Sequence, residues 1–204
     1  MAAGNEIPQV EVGNLTELRA WLEAHHASAG SVWLVTGTKS TGERYIAWPD
    51  LVDELLVWGW IDSLPRALDR LRTMHLISKR KAGSGWSAIN RAKIERLSAE
   101  GRMMPAGLEA VARAKADGSW AALNAADPDH PPDDFSCALA AHPEAERFYA
   151  RFPRSSRRAI LEWITLAKSA ETRARRISET VRLAAENRKA NHPKGRDLGP
   201  KPPA

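Results

Sequence analysis

Trp48-Pro49-Asp50-Leu51-Val52-Asp53-Glu54-Leu55-Leu56-Val57-Trp58-Gly59-Trp60-Ile61-Asp62-Ser63 changes its periodicity at the glycine. Before it, Leu51, Leu55 and Trp58, with Val52 and Leu56 alongside, recur at helical spacing, and Pro49 suits a first helical turn. Gly59 stops that helix. Beyond it, Ile61 to Ser63 is short and extended. A helix that runs into a strand through one glycine implies a sheet carrying helices, so the stretch reads as α+β.

Towards the N-terminus, Ser31-Val32-Trp33-Leu34-Val35-Thr36 is β-branched and aromatic, hence a second strand. Lys39-Ser40-Thr41-Gly42 is a turn, and Glu43 to Ala47 is expected to return as a strand. Asn14 or Thr16 can cap a helix through His26 with Leu15, Leu18, Trp21 and Leu22 at helical spacing. Residues 1–13 read as a flexible arm. Towards the C-terminus, Arg70 to Ile77 alternates and is expected to pair with Ile61–Ser63 around Pro65.

From Ser84 the pattern turns helical. Ser84 or Ser87 caps a helix with Trp86, Ile89, Lys93, Ile94 and Leu97 on one face, ending at Gly101. Pro105 to Asp117 follows with Leu108, Val111 and Ala112 inward. Ala125 to Pro132 is Asp/Pro-rich and reads as a loop. Further helices run from Asp133 or Asp134 to about His142, from Pro143 through Phe152, from Pro153 to Lys168, and from Ser169 or Glu171 to Lys189. The expected architecture is a small N-terminal antiparallel or mixed sheet with helices, followed by a mostly helical C-terminal region. One domain is expected over 14–190, its sheet part at about 14–83 and its helical part at about 84–190. Residues 191–204, with four Pro and two Gly, read as a disordered tail.

Composition narrows the classes. The chain of 204 residues holds eight Trp against three Phe and two Tyr, which favours cores with polar edges, pockets and interfaces. Cys137 stands alone, so no intramolecular disulfide is possible, and it reads as a small buried apolar residue. No stretch approaches the ~20 apolar residues needed to cross a bilayer, and the first residues lack the pattern of a signal peptide. A cytoplasmic location is the expectation. His25-His26 and His142 lack metal-ligand spacing, so neither a metal nor another cofactor is expected. No nucleophile elbow, zinc-protease or dinucleotide glycine motif is present, so no catalytic residue is named from motifs.

The net charge of +5 is uneven: residues 153–190 carry ten Lys/Arg against four Glu, and the rest up to 152 is net acidic. A basic surface at Arg173, Arg175, Arg176 and Arg182 could therefore meet an anionic partner. Glu171 and Arg175, and Arg182 and Glu186, stand at i,i+4 spacing, so part of that charge pairs with itself. Aromatic interleaving is absent, which argues against single-stranded nucleic acid.

Two stretches suggest a ligand site. In Trp58 to Ser63, Trp60 is either a stacking wall with Asp62 as acceptor, or a core residue with Asp62 tying down a turn. In Lys79-Arg80-Lys81-Ala82-Gly83-Ser84-Gly85-Trp86-Ser87-Ala88-Ile89-Asn90, a basic approach enters a Gly/Ser turn that opens a helix. That turn either holds an anion or is a capped helix with a solvated approach. Taken together, Lys39, Trp60, Asp62, Arg80, Trp86 and Asn90 are the expected lining of a cleft for a small anionic ligand.

The order of motifs resembles a known family. Val32-Trp33-Leu34 leads to a Lys-containing turn, then Leu55 to Ser63, Trp86-Ser87-x-x-Asn90, Leu97-x-x-x-Gly101-Arg102-Met103-x-x-x-Gly107, Ala114-Lys115-x-x-Gly118-x-Trp120, and Ala167-Lys168-x-x-Glu171-Thr172-Arg173-x-x-Arg176-Ile177. Over residues 15–190 this is similar to the YdeI/OmpD-associated, or bacteriocin-protection, family. Where that family usually has Pro-Arg before the Trp-Ser-x-x-Asn helix, this chain has Lys79-Arg80, so a more mobile loop is expected.

The resemblance implies a part in resisting bacteriocins or cationic antimicrobial peptides, and association with a porin. It brings no accepted catalytic residues. A chain of net charge +5 gains nothing electrostatically from sequestering a cationic peptide, so any protection is expected to be indirect. Three functions follow: a non-enzymatic binding protein using the cleft, an enzyme with Asp62 as general base, and an adaptor for an anionic surface or nucleic acid through the C-terminal arginines. A protein partner and the oligomeric state are left open.

Overall fold

Asn14 sets the first helix. Its side chain accepts from the Glu17 backbone N–H at 2.9 Å, and α1 (Leu15–His25) follows with Leu18 and Leu22 fully buried. A computed structural model describes residues 7–191. Within them the chain forms two compact units, which divide between Trp120 and Ala121. The break falls later than the change of pattern near residue 84, and two helices beyond that point pack onto the sheet's unit.

The first unit contains β1 (Gln9–Glu11), β2 (Val32–Gly37), a 3-10 turn (Lys39–Arg44), α2 (Trp48–Val57), β3 (Trp60–Ala67), β4 (Arg72–Lys79), α3 (Ala88–Ala99) and α4 (Pro105–Ala116). The sheet order is β1-β2-β4-β3, with β1 parallel to β2 and the other pairs antiparallel, so the sheet is mixed. The α+β reading holds. Two local expectations do not. Gln9–Glu11 is a strand on β2 rather than part of an arm, while residues 1–6 lie outside the described residues. Glu43–Ala47 is not a returning strand: Gly37 lacks a side chain, and a Cβ there would meet Thr41 Oγ1 at 2.2 Å and the Arg44 carbonyl at 2.6 Å. That clearance lets the 3-10 turn fold back on β2, leaving one isolated bridge to Tyr45.

Helix α2 is buried on every side from Leu51 to Val57. Leu51 and Leu55 pack with Trp60, Leu18, Leu34 and Ile77 against the sheet. Val52, Leu56 and Val57 pack with Trp86, Ile94, Leu97 and Val111 of the following helical layer. Burial on both faces also encloses Asp53 and Glu54, 7% and 3% exposed, so each needs cationic partners. Lys93 (2.5 Å) and Arg96 of α3 hold Asp53; Arg19 (2.8 Å) and Arg102 (2.6 Å) hold Glu54.

Ser87, not Ser84, caps α3 by accepting from the Asn90 N–H at 3.2 Å. Two faces differ in phase from the sequence reading: Ile89 is 71% and Leu108 50% exposed, because Ile94 and Leu97, and Gly107, Ala110, Val111 and Ala114, take the inward positions.

The second unit holds a 3-10 turn (Ala122–Ala125), α5 (Asp133–Ala140), α6 (Pro143–Arg151), α7 (Arg154–Thr165) and α8 (Ala170–Ala185), capped by Ser169. Helix α8 packs against α5, α6 and α7 around Phe135, Phe148, Tyr149, Ile160, Ile164 and Val181. Cys137 faces solvent rather than this core, since Phe135 and Leu139 occupy the inward stripe of α5. The expected tail beyond Asn191 lies outside the described residues.

Candidate anion-binding site

The glycine between two tryptophans separates their fates. Gly59 adopts φ +72°, a left-handed conformation that a side chain resists, and it turns the chain from α2 into β3. Trp60 then enters the strand facing α1 and α2 and is fully buried, edge-on to Trp21 with ring centroids 5.7 Å apart. Trp58, at the end of α2, is only half-buried, beside the His26 ring at 4.5 Å. Trp86 is 2% exposed and belongs to the other apolar cluster of this unit. Neither Trp60 nor Trp86 is therefore an open wall, and the aromatic wall in this region is Trp58.

Arg80 joins the two stretches. Its N–H donates to the Gly59 carbonyl at 3.0 Å, and its guanidinium lies over the Trp86 ring, 3.7 Å from the centroid. The side chain is 6% exposed and donates through one nitrogen, to the Gly85 carbonyl at 3.2 Å. Its Nε and Nη2 have no partner. Burial pushes its pKa down to about 10, against the pull of the Asp62 charge, so it remains a cation at neutral pH. A buried guanidinium with unused donors is costly unless an anion or water meets it.

Asp62 is half-buried two residues beyond Trp60. Burial raises its carboxyl above the ordinary aspartate range, opposed by a backbone hydrogen bond and by the charges of His75 and Arg80. His75, whose ring lies 4.0 Å from Trp48, is pushed down by burial and is neutral near pH 7. An aspartate whose pKa rises on folding binds its proton longer in the folded form. Its contribution therefore weakens the fold as pH climbs from the ordinary value, about 3.9, through its own. Carboxyl-carbon NMR should place the Asp62 midpoint above that ordinary value; a midpoint at or below it refutes the burial argument.

A depression of about 230 Å³ opens beside Arg80, lined by His26, Trp58, Gly59, Lys79, Glu109 and Arg113 among others. Lys79 gives one hydrogen bond to the Ala27 carbonyl at 2.8 Å, and Arg113 pairs with Glu109 at 2.8 Å, so both keep donors to spare. Three cations against one carboxylate make the depression electropositive. On the other side of Arg80, towards Trp86, lies a void of only about 10 Å³, room for one water.

Sequence reading found Arg80 because it stands in a basic run. His26, Lys79 and Arg113 are not legible as a set because they come from the C-cap of α1, from β4 and from α4, which only the fold brings together. Asn90 is half-buried on the first turn of α3, with its N–H used in the Ser87 cap. Lys39 is exposed at the far end of the sheet. Gly37, two residues before it, faces Arg72, whereas Trp60 faces Lys79, so seven residues of β4, about 23 Å, separate the two ends. Near Lys39 lies another depression, of about 630 Å³, whose Arg44 and Arg72 are both tied to Glu11 at 2.8 and 2.9 Å.

The C-terminal arginines do not share one face. Arg173 grips Asp134 of α5 at 2.6 and 2.7 Å, and Arg176 donates to the Trp163 carbonyl while lying over its ring. Arg175 and Arg182 are exposed, and Arg182 pairs with Glu186 at 3.0 Å. Among the described residues no cluster of His, Cys, Asp or Glu could hold a metal ion, and no helix is long and apolar enough to cross a membrane.

Residues 10–110 match a family described as a domain of unknown function, DUF8412, and this match contains the depression except for Arg113. No curated protein and no solved structure matches the chain. Residues 130–187 match the family described as "Bacteriocin-protection, YdeI or OmpD-Associated". The motif at 167–177 falls within that match, and the earlier motifs up to Gly107 fall within the first. The second unit thus carries the domain of the bacteriocin-protection, YdeI- or OmpD-associated family to which the motif order pointed.

Proposed function

We propose that the chain is a non-enzymatic binding protein of the bacteriocin-protection type whose first unit holds a small anion at Arg80, Lys79 and Arg113. One observation carries the reading: Arg80, a lining residue of an electropositive depression, is nine-tenths buried and keeps two guanidinium nitrogens without a partner. Retaining such a group runs against folding economy, and a bound anion supplies the compensation that the protein's own groups do not. The part in protection follows the family of the second unit and is indirect, the anion being the sensed or carried species rather than a cationic peptide.

Inorganic phosphate is the first probe. Titrated into the full chain, it should raise the unfolding midpoint and change Trp fluorescence through Trp58, by the linkage that stabilises any state that binds. The Arg80→Met variant should show neither response. A wild-type chain indifferent to phosphate, sulfate and acetate alike would remove the proposal.

A second reading draws on Asp62. Its raised pKa meets one requirement of a general base working near neutral pH. Asp62 is not among the residues lining the depression, however, so the binding reading is better supported.

A further inference from the structure

Besides the depression at Arg80, Trp58 also lines a second hollow, of about 410 Å³, whose lining includes Val57, Arg102 and Met104. The two differ in character. In the second hollow, the cations Arg19 and Arg102 are both engaged by Glu54, at 2.8 and 2.6 Å, and Glu23 balances what charge is left. Met104 is 40% exposed there, so thioether and indole form an apolar surface beside a neutralised floor.

Size separates a bare ion from a larger guest. The first hollow alone, at about 230 Å³, lies below the ~300–1,000 Å³ usual for small-molecule sites, whereas the second, at about 410 Å³, lies within that range. An inorganic ion would leave the whole second hollow unused. We propose that the two hollows act as one groove across Trp58 and take an organic anion with a planar apolar body, a carboxylate or phosphate monoester. Its charged head sits at Arg80, Lys79 and Arg113, and its body crosses Trp58 to reach Met104. This rests on the reading of the Arg80 depression as an anion site.

The test compares affinities on the full chain by calorimetry, using inorganic phosphate, 1-naphthyl phosphate and 1-naphthoate. Naphthyl phosphate should bind roughly tenfold or more tighter than phosphate, the order expected of one aromatic stack. In Trp58→Leu that ratio should fall to near one. In Met104→Gln, at an exposed position that the fold tolerates, it should fall in part. The naphthoate arm tells a carboxylate head from a phosphate head. Phosphate binding with a wild-type ratio near one overturns the elongated guest and leaves the anion site standing. A ratio that survives both substitutions also overturns it. If no probe binds, the Arg80 reading fails and this inference falls with it.

Discussion

Gly107→Ala should lower stability by about 2–3 kcal/mol, although the same exchange on an exposed helix would raise it by about 1. The sign is set by the contact between α4 and the end of α2. A Cβ on Gly107 would stand 2.2 Å from the Val57 carbonyl oxygen and 2.9 Å from its carbon, with Met103 Cε also at 2.9 Å. The obstruction is backbone on both sides, so no side-chain rotation relieves it. That carbonyl also accepts the Met104 N–H at 3.2 Å, and displacing α4 strains this bond. The urea midpoint reads the effect. An unchanged or higher midpoint would mean that the two helices are not in such close contact. A second consequence follows at the site: α4 supplies Ala106, Glu109 and Arg113 to the depression beside Arg80, so the folded fraction of the variant should bind phosphate more weakly.

The same contact shows why the fold was more legible than the site. Trp48 to Ser63 carries both periodicities and a glycine between them, and the helix, the positive φ and the strand all follow from local rules. Asn14 and Ser87 declare helix starts in the same way. What local rules miss is rotation about a helix axis: Ile89 and Leu108 fit an apolar stripe in the sequence, yet the close approach at Gly107 and the packing of Ile94 and Leu97 turn them to solvent. A small error of placement has a larger effect at a site. Of the two tryptophans, Trp60 lies in the core and Trp58 lines the depression, and only the register, which sets Gly37 opposite Arg72, separates Lys39 from it. Arg173 and Arg176 illustrate the same limit, for composition counted their charges and only packing showed them turned inward to Asp134 and Trp163.

Arg80→Met should leave stability within about 1 kcal/mol of the wild-type chain or raise it, while abolishing the phosphate response. Several contributions oppose one another. The variant loses a charged hydrogen bond to the Gly85 carbonyl, worth roughly 1.5–3 kcal/mol, and a stack on Trp86 of about 2 kcal/mol when desolvated. It gains by no longer burying two donors without partners, roughly 1–3 kcal/mol each, and by removing the desolvation of a cation. Methionine refills much of the volume and places sulfur against the indole. A purely structural Arg80 would give the opposite sign: a loss of about 3 kcal/mol or more, as when one member of a buried charged pair is cut away. The Asp62 titration provides an independent readout. The Arg80 charge holds that carboxyl down against burial, so its midpoint should move further up in the variant. A neutral or stabilising substitution that also raises Asp62 and silences the phosphate response is the signature of a cation kept for its ligand at the expense of the fold.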